Sequence, residues 1–81
     1  MQFVRLDFSF FLTEEHNDVV VIYDGDNDDA SVIARLTGVY TPAPTEFQTT
    51  QESMLVKFLS DALIPNRGFE ASFTSIPSSL I

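Results

Sequence analysis

A side-chain period of two occurs in three separate segments of this chain. Apolar and polar residues alternate one by one over residues 4–9 and 69–74, and over residues 54–59 Met54, Val56 and Phe58 alternate with Leu55, Lys57 and Leu59. A period of two places successive side chains on opposite faces of an extended strand, so each segment is predicted to be a half-buried β-strand. No long stretch shows the 3.6-residue period of an amphipathic helix. The chain is therefore predicted to be all-β.

Three further segments favour strands. Residues 19–23 form a continuous β-branched and aromatic run, which Asp24 and Gly25 end with turn chemistry. Residues 31–36 suit a strand or a short helix, and Val32 and Ile33 favour the strand. A short strand is expected near Phe47. About six short strands between turn signals are typical of an antiparallel, jelly-roll-like β-sandwich.

The phenylalanines are predicted to build the core of this sandwich. Phe8, Phe58, Phe69 and Phe73 occupy alternating positions that fit one buried face. One residue of the pair at positions 10 and 11 is expected to point outward, where it could meet a partner.

Composition narrows the classes of function. The 81 residues make one domain, predicted to span residues 1–76 and to be followed by a tail at 77–81. Cysteine is absent, which excludes disulfides and thiolate metal sites. Small domains are commonly stabilised by a disulfide or a metal, so a hard cation bound by oxygen atoms is the stabilising element that remains. The net charge of −8 argues against nucleic acid and is compatible with calcium, a basic partner or simple solubility. Neither a membrane span nor a signal-peptide pattern is seen.

Acidic residues at the ends of the strand-like runs suggest a calcium site. Glu14 and Asp18 flank one turn, and Asp61 ends a separate strand. Carboxylates brought close together repel one another unless a cation compensates them, and calcium is bound by six to eight oxygens. The alternative to a calcium site is that these three carboxylates are each solvated separately at the strand ends and share no ion.

Two other kinds of site are disfavoured on sequence grounds, although a loose cation contact in the first and a Ser/His/Asp triad in the second stay open. The stretch from Asp24 to Asp28 imitates the start of an EF-hand loop, but Asp29 stands where glycine is required and Arg35 where glutamate is required. His16 is the one histidine, and neither a nucleophile elbow nor a phosphate-binding loop is present. The chain is therefore not expected to be an enzyme, and a small acidic enzyme or inhibitor is kept only as a third hypothesis.

Several short motifs occur together in a recognisable order. They are Val4-Arg5-Leu6-Asp7-Phe8, Phe11, Glu14, Asp18, Tyr23-Asp24-Gly25, Gly38, Pro42, Val56-Lys57-Phe58-Leu59-Ser60-Asp61 and Arg67-Gly68-Phe69-Glu70-Ala71-Ser72-Phe73. In this order they resemble the CUB domain of extracellular and cell-surface proteins. The resemblance runs over nearly the whole chain, from about residue 3 to residue 76, and it implies a calcium-binding, protein-recognition sandwich outside the cell.

The chain departs from the family pattern in three ways. The cysteines that the family usually carries before the positions of Asp18 and Gly38 are missing. The opening strands of the family domain have no counterpart, so an N-terminally truncated sandwich with uncovered sheet edges is expected, prone to self-association unless a partner covers them. Ile64 replaces a polar residue that often supplies a further ligand in the family.

The resemblance implies which residues would bind calcium. They are the carboxylates of Glu14, Asp18 and Asp61, with the backbone carbonyl of Leu63 as an additional oxygen. It also implies that partly free carboxylates there accept a lysine or arginine of a protein partner. The alternative hypothesis is a metal-free structural or oligomerisation module.

Overall fold

The computed structural model describes residues 1–15, 17–60 and 68–77, and this part of the chain is built from strands and turns. The strands are β1 Gln2–Leu12, β2 Val19–Asp24, β3 Ser31–Leu36, β4 Val39–Tyr40, β5 Phe47–Gln48, β6 Leu55–Leu59 and β7 Gly68–Pro77. The described residues contain no helix of the length and apolar character that crossing a membrane takes.

The strands form two antiparallel sheets. In the first sheet, β1 pairs with β7 along its full length. On the other side of β1, β4 pairs with its last two residues and β5 with Arg5 and Leu6. In the second sheet, β2 lies between β3 and β6. The buried core contains side chains from both sheets, so the sheets pack face to face. The prediction of an all-β antiparallel sandwich is confirmed.

A β-bulge in β1 determines which phenylalanines enter the core. Phe8 pairs with Ala71 and Phe10 with Glu70, so Ser9 is an extra residue on β1. The extra residue changes the phase of the alternation, and Leu6, Phe8 and Phe11 all face inward. Phe11 is completely buried, whereas Phe10 is only partly so.

Aromatic rings fill the centre of the sandwich around Phe11. Phe8 and Tyr40 meet its ring edge-on at centroid distances of 5.3 and 5.2 Å, and Phe69 stacks on it at 5.8 Å. Such pairs each contribute about 0.5–1.5 kcal/mol beyond the burial of their area. Val20 and Ile22 of the opposite sheet are also fully buried in this cluster.

The prediction that four phenylalanines share one buried face is half wrong. Phe8 is buried and Phe69 packs against the core, but Phe58 is 46% exposed and Phe73 is 78% exposed. Both exposed rings belong to inward-facing positions, because Phe58 pairs with Val20 across β2 and β6 and Phe73 pairs with Leu6 across β1 and β7. Within residues 1–15, 17–60 and 68–77, β6 and β7 each pair on one side only, so less of the fold covers these two rings.

The predicted elements otherwise match the structure closely. Residues 31–36 form a strand, as favoured over the helix, and the short strand at Phe47 is present. The two-residue strand β4 was not predicted. Gly25 ends β2 as expected: its φ is +156°, and an added Cβ would lie 2.8 Å from the Cβ of Ala30, closer than packed carbons can approach. The acidic residues 26–29 that follow are exposed. Residues 78–81 of the predicted tail lie outside the described residues.

Candidate functional site

The turn between β1 and β2 is closed by hydrogen bonds in both directions between Glu14 and Asp18. The Glu14 backbone N–H donates to Asp18 Oδ2 at 3.0 Å, and the Asp18 backbone N–H donates to the Glu14 carbonyl at 2.8 Å. The Asn17 backbone N–H also donates to that carbonyl, at 3.2 Å. The turn therefore holds the two acids next to each other in a fixed geometry.

Asp18 joins this turn to two other parts of the fold. Its side chain is nearly buried, with 5% of the residue exposed, and Oδ1 accepts a hydrogen bond of 2.9 Å from Ser60 Oγ, directly after β6. Thr37 Oγ1, after β3, donates to the Asp18 carbonyl at 2.7 Å. A buried carboxylate needs such partners because desolvation of an unpaired charge is costly.

The structure brings together two of the four predicted metal-binding residues. Glu14 and Asp18 share the turn, whereas Asp61 and Leu63 lie outside the described residues. Ser60 contacts Asp18 and immediately precedes Asp61 in the chain. Within residues 1–15, 17–60 and 68–77 no three acidic or histidine side chains are grouped so that they could hold a metal ion.

The chemistry of Glu14 and Asp18 is compatible with a calcium ion. Among the described residues, each oxygen of the Asp18 carboxylate accepts one hydrogen bond, and Glu14 Oε1 accepts one from Asn17 Nδ2. An ionised carboxylate offers about four lone-pair positions, so both groups keep acceptor capacity. The atoms that would coordinate a metal are all oxygens, which is the ligand type that calcium prefers.

A depression opens beside the turn. It has a volume of about 580 Å³ and is lined by residues 13–15 and 37–40. Its floor is held by a double contact: Thr13 Oγ1 donates to the Gly38 carbonyl at 3.0 Å and accepts from the Gly38 backbone N–H at 2.8 Å. Glu14 and Glu15 give the depression a negative lining, which suits a cationic side chain.

The other acids singled out in the sequence have structural contacts. Asp24 accepts hydrogen bonds from the backbone N–H and the hydroxyl of Thr50, at 2.8 and 2.6 Å, and this hydroxyl is the main cause that lowers the pKa of Asp24. Asp28 forms an ion pair of 3.1 Å with Lys57. These contacts tie Asp24 to the segment after β5 and Asp28 to β6.

Three residues at this site were not predicted from sequence. In the sequence Ser60 stands out only as the neighbour of Asp61, and no pattern points to Thr13 or Thr37. Their hydroxyls are hydrogen-bond partners between residues 19 to 42 positions apart in the chain. A single sequence carries no signal for such long-range pairs beyond the position of each residue at a strand end.

Known proteins resemble this chain over most of its length. A family model described as "CUB domain" matches residues 1–73. Tolloid-like protein 1 of Homo sapiens is 32% identical over 76 residues, which cover 89% of this chain and 7% of that protein. Cubilin of Canis lupus familiaris is 30% identical over 80 residues, which cover 90% of this chain and 2% of that protein. Multiple epidermal growth factor-like domains protein 8 of Rattus norvegicus is 39% identical over 70 residues, which cover 86% of this chain and 2% of that protein. The chain thus spans only a small fraction of each of these relatives.

Proposed function

This chain belongs to the CUB domain family, whose members are non-catalytic modules of protein–protein interaction, and we propose that it recognises a basic protein partner in a calcium-dependent manner. The family resemblance supports a role at the cell surface or in the extracellular space. We also propose that residues 1–76 act as a single domain.

One contact supports the calcium site most strongly: the hydrogen bond from Ser60 Oγ to Asp18 Oδ1. It holds Ser60, the residue directly before Asp61, against Asp18, which shares its turn with Glu14. In this proposal the carboxylates of Glu14, Asp18 and Asp61 and the carbonyl of Leu63 hold the ion. When bound, calcium would neutralise the clustered negative charge and tie the β1–β2 turn to the segment after β6.

The acidic depression beside the turn supports a basic partner. Glu14 and Glu15 line it, and the chain as a whole carries a net charge of −8. A lysine or arginine entering the depression would form a charge-assisted hydrogen bond with a carboxylate. The negative field of the chain would also attract such a partner from a distance, most strongly at low ionic strength.

The proposal is tested by calcium titration in a calorimeter, together with thermal unfolding in calcium and in chelator. Saturating calcium at about 100 times its Kd should stabilise the fold by about 2.7 kcal/mol. Asp61→Asn should abolish both the binding heat and the stabilisation, while Asp29→Asn, at an exposed position among the acidic residues 26–29, should retain them. Equal melting temperatures in calcium and chelator would overturn the calcium site.

A metal-free structural module remains the second candidate. The observation that favours it is the set of hydrogen bonds that Asp18 makes to Glu14 and Ser60, which satisfy this buried carboxylate with protein groups. Light scattering coupled to size-exclusion chromatography separates the two candidates. Calcium-independent dimers would support the structural module, and a monomer at high concentration that binds calcium would oppose it.

A further inference from the structure

The strands β6 and β7 lie at the same margin of the sandwich. They belong to different sheets, and the rings of Phe58 on β6 and Phe69 on β7 meet edge-on at a centroid distance of 5.4 Å. Each strand pairs on one side only within the described residues, β6 with β2 and β7 with β1. The backbone groups on the other side of each strand thus form an edge that another strand could join.

An apolar groove runs between these two edge strands. It has a volume of about 240 Å³ and is lined by Val4, Leu6, Met54, Val56 and Phe73. Phe73 sits at an inward-facing position opposite Leu6, which is only 5% exposed, yet Phe73 itself is 78% exposed. A large apolar ring that faces inward and is still mostly exposed to solvent indicates a site where additional apolar side chains can pack against it.

The geometry of the groove indicates the shape of its occupant. An extended segment laid along β7 would hydrogen-bond to the free backbone edge, as in other cases of strand addition to a sheet. Its alternate side chains would then face the groove beside Phe73 and Val56, so they must be apolar.

The charges around β7 indicate the composition of the occupant. Glu70 is exposed on the outer face near one end of β7, where its carboxylate accepts a single neutral hydrogen bond from Ser9 in the described residues and keeps its charge uncompensated by it. Glu52 lines a hollow with Ser75 and Val4 near the other end. Lys57 on β6 is already paired with Asp28. Because opposite charges on neighbouring strands stabilise the pairing, lysine or arginine is favoured at both ends of the added segment. A second copy of this chain, also at −8, would be repelled.

We propose that the β6–β7 margin binds an extended segment of a partner protein as an additional strand on β7. The segment carries apolar residues at alternate positions and basic residues at its ends. This interaction is distinct from the calcium site, since neither Glu14 nor Asp18 lines the groove.

The test uses the full 81-residue chain and a short capped peptide that alternates valine with threonine between terminal lysines. Binding is measured by calorimetry, and amide hydrogen exchange is followed by NMR, both in chelator. We expect saturable binding and slower exchange of the β7 amides. Methylation of the peptide amides along the edge that faces β7 should abolish binding, while methylation along its other edge should not.

Matched variants locate the site. Phe73→Thr should weaken peptide binding at least tenfold without unfolding the chain, whereas Val32→Thr, at an exposed position on the edge strand β3, should leave it unchanged. Glu70→Gln combined with Glu52→Gln should weaken binding and reduce its salt dependence. Absence of binding, or protection of amides elsewhere than in β7, would overturn the proposal. Concentration-dependent dimers without peptide that Phe73→Thr abolishes would also overturn it, by assigning the edge to a second copy.

Discussion

The hydroxyl of Ser60 donates a hydrogen bond of 2.9 Å to the buried carboxylate of Asp18, across 42 positions of the chain. The contact connects the first residue after β6 to the residue before β2. The other carboxylate oxygen of Asp18 accepts a hydrogen bond from the Glu14 backbone N–H. The Asp18 side chain therefore fixes both the β1–β2 turn and the residue that follows β6. Loss of this side chain should therefore affect the turn and the exit of β6 together.

Asp18→Asn is expected to lower the free energy of unfolding by about 1–3 kcal/mol. The asparagine oxygen can still accept from the Glu14 N–H, but the amide nitrogen can only donate towards Ser60 Oγ, and both hydrogen bonds lose the strength that an ionised carboxylate gives them. Urea denaturation in chelator measures the loss without a contribution from metal. Asp29→Asn, at an exposed position of the acidic loop, is the matched control and should change stability by less than about 0.5 kcal/mol.

A double-mutant cycle tests whether Asp18 and Ser60 act as a pair. Ser60→Ala removes the donor to Asp18 Oδ1, and the combined loss in Asp18→Asn with Ser60→Ala should be smaller than the sum of the two single losses. A coupling energy of about 0.5–3 kcal/mol is typical of residues in direct contact. Strictly additive losses would show that the hydrogen bond contributes nothing to stability.

Glu14→Gln should weaken calcium binding by reducing the charge of the proposed ligand set, while the fold remains intact. The Glu14 backbone N–H and carbonyl, which close the turn, are unchanged by the substitution. Calorimetry is expected to show at least a tenfold increase in Kd for calcium, with urea denaturation in chelator close to that of the parent chain. Equal calcium affinity in both proteins would remove Glu14 from the site.

Phe11 and Phe73 are predicted to differ sharply in their contribution to stability. Phe11 is fully buried among aromatic rings, so Phe11→Ala should cost about 3–5 kcal/mol, most of the stability expected of a domain this small. Phe73→Ala, at a position 78% exposed, should cost less than about 0.5 kcal/mol. Urea denaturation compares the two, with Phe11→Leu as a milder substitution if Phe11→Ala does not fold. Similar losses at both positions would contradict the core described above.

Stability should fall in acid because Asp7 and Asp24 are held ionised in the fold. A hydrogen bond from Arg5 is the main cause that lowers the pKa of Asp7 from its ordinary value of 3.8, with the backbone N–H of Glu46 adding to it. The hydroxyl of Thr50 lowers the pKa of Asp24 from the same value. Both carboxyls bind protons more weakly in the folded chain than in the unfolded chain, so their contribution is complete above pH 3.8 and is lost as the pH falls through the folded pKa.

Urea denaturation across the acidic range measures this dependence. Asp24→Asn should make the decline of the free energy of unfolding below pH 3.8 shallower, because one group with a lowered pKa has been removed. Asp29→Asn should leave the slope nearly unchanged. A parent chain whose stability rises as the pH drops below 3.8 would contradict the sign of both shifts.

The strands could be predicted because their side chains are sorted by face. Alternation at 4–9 and 69–74 and the β-branched run at 19–23 each match an observed strand, and the Asp24–Gly25 turn follows from glycine chemistry. The strand Val39–Tyr40 has only two residues and is too short to show a period. Its existence depends on pairing with Phe11 and Leu12, which no local pattern reports.

Periodicity identifies the face on which a residue lies but not what covers that face. Phe73 has the alternation of a core residue and lies on the inner face, yet its exposure is set by the edge position of β7. The same limit applies to the candidate site. Glu14 and Asp18 were recognisable as neighbours on one turn, whereas the contact of Ser60 with Asp18 depends on how β6 packs beside β2.

The bulge at Ser9 makes β1 tolerant of substitution there and intolerant of a change in length. Ser9 is exposed, and its side chain contacts only Glu70 among the hydrogen-bonded partners described. Removal of this residue by deletion would bring Phe8 and Phe10 into consecutive pairing, and one half of the strand would have to turn its core side chains to water. In any lineage of such chains, this position can vary in identity, while insertions and deletions near it should be eliminated.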